Sequence, residues 1–279
     1  MEYCKRGQGN DIFNQPLPHP HLRPVDCEIM LQSLFSSLTL LSALFLFPLA
    51  SRAANILTLV NLRIEGGEKT IFEGSVLTRG HNVTTASGGT HICDGTNNGA
   101  NPTPGPTCTS ALDNAAKAHG FTFDGYVFPC PTMITDSNSC CYRTFSPEFD
   151  DFFITSIGGE SQTATEFWGI LLNFEFTPVG GCQEEVKLND EILFAFNAFN
   201  AVNFLKLTGP ETALVGHAVV LTVTDGQTGR AVAGANVNGQ TSDANGHVSL
   251  TFAKSGLNEV KAEAPNSIRS NQLAILVVP

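Results

Sequence analysis

The side chains of this sequence best suited to acid and base chemistry are Asp124, Asp150, Asp151, Glu160 and Glu166. Hydrolysis by a carboxyl pair needs two such groups facing one site, with their pKa values driven apart. Asp150 and Asp151 are adjacent, and neighbours on an extended strand point to opposite faces. They are therefore expected in solvated turns. A carbohydrate-active enzyme or other hydrolase is the rival reading, and it requires Asp94, Asp124 and Asp150 to converge on a concave pocket beside the loop from Gly89 to Cys108. The sequence contains no Gly-x-Ser-x-Gly elbow, no His-Glu-x-x-His helix and no Walker loop.

That loop is the densest group of polar binding residues. His91, Asp94, Asn97 and Asn98 lie in a Gly-, Pro- and Asn-rich run between Gly88 and Cys108, too irregular for regular secondary structure. They can form a polar ligand site, or spend their side chains on the loop's own backbone. No cofactor is expected. Metal ligation is poorly served, because no Cys-x-x-Cys recurs and Cys140-Cys141 has no His nearby. Asp243 and Asn245 lack the further oxygen ligands that calcium needs.

The compartment follows from residues 30–53, where an uncharged apolar run leads through Pro48 to Ser51-Arg52-Ala53, the layout of a signal peptide cut before Ala54. An uncleaved anchor is the alternative, and the only membrane association foreseen. Residues 1–29 form a polar, proline-rich head, read as a mis-assigned start or an extension. Beyond the leader stand Cys93, Cys108, Cys130, Cys140, Cys141 and Cys182, an even set suited to disulfides in an oxidising compartment. Asn82-Val83-Thr84 is an N-glycosylation sequon. The net charge of -11 argues against a nucleic-acid surface.

The elements that must position these residues are mostly strands. Phe167–Phe176 and Asp190–Phe196 are short aromatic and branched runs separated by Pro178 and Gly180-Gly181, and they predict an antiparallel pair at the centre of a sheet. Two strands joined near Gly66-Gly67 precede one around Val83. A helix is predicted from Thr109 or Ser110 to Gly120, with Leu112, Ala115 and Ala116 on its buried face. Phe149–Glu160 reads as one strand ending in a turn. Residues 126–146 break the pattern and read as an insertion. After Leu207, five or more short strands at regular spacing predict a β-sandwich.

Several of these segments together carry a resemblance. Gly88-Gly89-Thr90-His91-x-Cys93-Asp94-Gly95-Thr96-Asn97-Asn98, Ser110-Ala111-Leu112-Asp113, Phe149–Ile154, and Phe167-Trp168-Gly169 through Gly180-Gly181-Cys182 resemble an uncharacterised family of secreted fungal proteins similar to the transcobalamin C-terminal domain, over approximately Ile56 to Leu207. The resemblance implies a β-grasp-like domain at 54–208, with one helix over a mixed sheet and Cys93 paired with Cys182. The segment 209–279 resembles an Ig-like module. In transcobalamin the related domain forms one side of a cobalamin pocket with a helical domain, for which this sequence has no counterpart.

The fold expected is thus mainly β (α+β), and the function expected is non-catalytic binding or adhesion outside the cell. A cell-wall glycan or a surface protein is the partner envisaged. Small-molecule capture of the cobalamin kind is a third reading, and it requires the Trp168 indole to be exposed in a groove.

Overall fold

Burial on both faces explains the apolar runs around Trp168 and Phe194. In a computed structural model describing residues 56–125 and 144–279, Trp168–Leu172 pairs antiparallel with Glu191–Phe196. Glu191–Phe196 pairs in parallel with β1 (Thr58–Glu65), and β1 pairs antiparallel with β2 (Thr70–Thr78). With Glu175–Phe176 these make a five-stranded mixed sheet, Glu191–Phe196 at its centre. Val60, Leu62, Ile64, Ile192 and Phe194 face one core with Leu112 and Ala115, while Leu171, Leu193 and Ala195 face another with Phe204 and Ile268. A strand covered on both sides reads as a continuous apolar run, with no alternation to reveal its faces.

The polar head, the leader at 30–53, Cys130, Cys140, Cys141 and most of the suspected insertion at 126–146 lie outside the described residues. β3 (His81–Thr85) and β4 (Gly89–Cys93) form a hairpin, so the irregular loop begins only after Cys93. The helix α1 (Cys108–His119) starts earlier than its sequence signal. Thr107, extended at φ -130°, is the N-cap: its hydroxyl accepts from the Ser110 amide, and the Ser110 hydroxyl accepts from the Thr107 amide. Ser110 is therefore the third helical residue of a reciprocal cap rather than the cap itself. Gly120 ends the helix in the left-handed region at φ 73°.

Phe149–Glu160 is not one strand. Asp151–Phe152 pairs with Phe145–Ser146, and Ser156–Ile157 pairs with Phe123–Asp124. Asp150 interrupts the run with a left-handed backbone at φ 48°. Likewise the Phe167–Phe176 run is folded back at Asn173 and Phe174, both left-handed, as a two-residue hairpin requires.

Two further sheets form a sandwich. Asn203–Thr208, Ala218–Asp225, His247–Thr251 and Ser267–Ile268 make one, and Thr212–Leu214, Gly256–Val260 and Leu273–Val278 the other. Leu205, Leu207, Leu221, Val223, Ile275 and Val277 fill the space between them. Because Leu205 and Leu207 face this core, the chain passes into the sandwich by Asn203 rather than after Thr208. The described chain is mainly β with a single α-helix. Among the described residues no helix is long and apolar enough to cross a membrane.

Sheet and sandwich belong to one compact unit and share a polar seam beside their shared apolar core. Glu65, 1% exposed, accepts from Lys261 Nζ at 2.6 Å, Arg269 Nε at 2.9 Å and the Thr70 hydroxyl. Lys261 also bonds Glu73 at 2.7 Å, and Arg63 Nη1 donates to the Arg269 carbonyl at 2.8 Å. Buried charges need such partners to be tolerated at all.

Candidate functional site

The polar loop is largely occupied with itself. Asp94 Oδ1 accepts from the Thr96 amide at 3.2 Å and hydroxyl at 2.6 Å. Asn98 donates its amide to Asp150 Oδ2 at 2.7 Å and its Nδ2 to the Pro147 carbonyl at 3.1 Å. Asn97 and Asn98 both take left-handed backbone, a tolerance that explains asparagine there. The His91 ring stacks on Phe145 at 3.5 Å between centroids, and its Nε2 bonds the Gly88 carbonyl. Asp124 takes the Ser87 amide and hydroxyl. Asp94 and Asp150 thus both brace the loop after Cys93, at Thr96 and Asn98, while Asp124 secures the separate turn at Ser87.

Cys93 and Cys182 are joined in a disulfide with Cα atoms 4.6 Å apart, which fastens the end of β4 to the Gly180–Cys182 turn. Cys108 is a fully buried free thiol, against the expectation that it would take part in a disulfide. Burial pushes its pKa well up, and a thiol held protonated is a poor partner for exchange.

Asp151 holds the same turn from below. Its carboxylate accepts from the Cys182 amide at 3.0 Å and from its own neighbour Phe152 at 2.7 Å. Burial raises its pKa to about 7 against the pull of those amides. The folded pKa exceeds the unfolded one, so its contribution to stability is complete below the unfolded pKa of 3.8 and is lost as pH rises through about 7. At ~1.4 kcal/mol per pKa unit, denaturant unfolding is expected to show a loss of a few kcal/mol between pH 4 and pH 8, and Asp151→Asn should flatten that slope. An equal slope in the variant would contradict this origin.

One His–Asp pair escaped the sequence reading. His81 Nε2 lies 2.6 Å from Asp113 Oδ2, which also binds Lys117 Nζ at 2.6 Å. The Asp113 hydrogen bond raises the His81 pKa against burial. Its Nδ1 bonds the Arg79 carbonyl at 2.7 Å, so neither ring nitrogen is left for abstracting a substrate proton. The two residues are 32 apart in sequence, and only the packing of α1 against β3 brings them together.

The apolar counterpart is a groove at the edge of the five-stranded sheet. Phe153, Trp168, Phe176, Phe194 and Phe199 are prominent in its lining, around a hollow of about 220 Å³. Trp168 is wall rather than platform: its indole is 7% exposed, donates Nε1 to the Glu160 carbonyl at 3.3 Å and meets Phe196 edge-on. The open faces belong to Phe153 (66% exposed) and Phe199 (63%). Phe199 stacks on Phe176 with centroids 5.0 Å apart and planes within 12°. Gly169 makes this possible, since a Cβ there would lie 2.7 Å from the Ala198 methyl and 3.0 Å from the Phe176 ring.

A signal for Phe153 was present in the sequence. Phe152 and Phe153 are adjacent, and if one faces the core the other must face out. Phe199 gave none, because it sits in a short 3-10 turn, Ala198–Asn200. Three hollows are larger: one of about 500 Å³ on the sandwich beside Leu214 and Val220, with no Phe, Tyr or Trp in its lining, and two of about 430 and 420 Å³ that follow the seam between sheet and sandwich. Among their lining groups, Glu65, Arg269 and Arg63 are already bonded across that seam, so the aromatic groove is the better candidate.

Residues 137–198 match a domain of unknown function, DUF4430, a transcobalamin-like domain family. The match takes in Phe153, Trp168, Phe176 and Phe194 of the groove and ends one residue before Phe199. It is narrower than the stretch from Ile56 to Leu207 over which the resemblance was read. No curated protein matches the chain.

Proposed function

We propose that the protein is a secreted, non-catalytic binding protein whose aromatic groove holds the apolar face of a ligand, a cell-wall glycan being the first candidate. The observation that carries this reading is the stacked pair Phe176–Phe199 beside exposed Phe153, held on a sheet buried on both sides. Rigid exposed rings offer a large contact area at little cost in side-chain entropy, and sugar C–H faces fit them. The leader and the disulfide support secretion. The strands after Asn203 serve in this reading as an Ig-like module that supports or displays the groove-bearing sheet.

A hollow of about 220 Å³ lies below the ~300–1,000 Å³ of sites that enclose a drug-sized ligand. It takes one ring at a time. That favours successive sugars of an extended polymer over enclosure of a macrocycle. The corrinoid reading keeps one supporting observation, the transcobalamin-like family match across the groove.

The test is thermal unfolding of the secreted protein with cell-wall polysaccharides and, separately, a corrinoid. A ligand present at ~100 times its Kd stabilises by ~2.7 kcal/mol, so a saturable rise with a polysaccharide is expected. The double variant Phe153→Ala/Phe199→Ala should abolish that rise while unfolding at the unliganded temperature, both rings being largely exposed. A rise that survives the double variant would move binding elsewhere, and a rise with the corrinoid alone would replace the glycan reading.

A further inference from the structure

Asn82-Val83-Thr84 is the one Asn-x-Ser/Thr triplet of the chain without a proline in the middle; Asn101-Pro102-Thr103 is barred by Pro102. The structure gives that triplet a usable setting. In β3 the burial alternates, so that Asn82 and Thr84 stand together on the outer face while Val83 and Thr85 turn inward. Thr84 keeps its hydroxyl on that face, bonded to the Thr90 hydroxyl at 2.8 Å. Across the hairpin Asn82 faces Ile92, an apolar side chain left 42% exposed.

We propose that Asn82 is N-glycosylated, an inference that rests on the secretion reading above. The donor is an oligosaccharide linked to a lipid pyrophosphate. Asn82 Nδ2 bonds to C1 of its first sugar, the C1–O bond breaks, the lipid pyrophosphate leaves with the electron pair, and the amide gives up one proton. The modification precedes folding, so the fold has only to leave the site outside. It does, because the strand is fixed through Val83 and Thr85 on its other face. The first sugars then lie over Ile92 and cover it.

The full chain is expressed in a eukaryotic secretory host, and the protein in the medium is weighed before and after peptide N-glycosidase. One downward step in mass is expected, with residue 82 converted to Asp. Asn82→Gln and Thr84→Val should each remove the step, and both variants should still be secreted, since each alters an outward side chain and leaves the backbone pairing intact. Secreted protein without a mass step overturns this inference and leaves the secretion reading standing. A step that persists in Asn82→Gln places the glycan elsewhere and overturns it as well. Protein retained in the cell and unmodified overturns both.

Discussion

Replacing Glu65 by Gln is expected to lower the unfolding free energy by ~3–5 kcal/mol, the cost of breaking a buried ion pair from one side. The carboxylate is almost wholly buried and holds Lys261 and Arg269 at 2.6 and 2.9 Å. Lys261 would keep Glu73 at 2.7 Å, but Arg269 would be left with the carbonyls of Gly66 and Gly67 and at most a neutral amide oxygen in place of the carboxylate. A guanidinium in a seam without its counter-charge is the main loss. Denaturant unfolding read through Trp168, the only tryptophan, measures it. Glu65→Leu combined with Lys261→Met and Arg269→Leu should recover much of the stability, because the desolvation of three charges disappears with the charges. A change below ~1 kcal/mol in Glu65→Gln would show that the seam is solvated and the pair weak.

Removing the disulfide with Cys93→Ala/Cys182→Ala is the second large effect. The bond closes a loop of 89 residues, and the chain-entropy estimate for such a loop is ~4–5 kcal/mol, with measured losses in small secreted domains of ~2–5 kcal/mol. The double variant is the proper test, since a single one leaves an unpaired sulfur. Its urea midpoint should fall well below that of the parent, and the drop that reductant causes should be smaller in the variant than in the parent. The parent should approach the variant when reduced. The Asp151 carboxylate, which grips the Cys182 amide, should keep the Gly180–Cys182 turn in place when the disulfide is absent, so Asp151→Asn is expected to cost more in the double variant than in the parent. Neighbours sharing one turn are not additive.

How far the sequence could be read depended on whether partners were near in the chain. The Trp168 and Phe194 strands were legible as an antiparallel pair because both are apolar, short and separated by Pro and Gly. Their parallel neighbour β1 was not, since its alternation names a buried face and no partner. The cap at Thr107 was missed because Thr109 and Ser110 offer the same hydroxyl a few residues later, and only the extended backbone of Thr107 decides. Cys93 and Cys182 came from resemblance alone. Trp168, a candidate binding residue, proved to be wall because nothing in its own neighbourhood reveals that Phe196 and the Glu160 carbonyl cover it. Arg63, Glu65, Lys261 and Arg269 look like ordinary surface charges until residues about 200 positions apart are brought together.

The pairing of β1 with Glu191–Phe196 also fixes the order in which the chain can fold. Asn61 must wait for Glu191, about 130 residues later, and Glu65 for Lys261, 196 residues later. Closing such loops costs entropy before any contact returns it, so topologies of this kind fold slowly. During synthesis Leu62 and Ile64 emerge early and stay unpaired on their inner edge while the next ~130 residues, nearly half of the chain, are being made. The first strand of the sheet is therefore among the last to be secured, and sheet and sandwich become stable together when the end of the chain arrives.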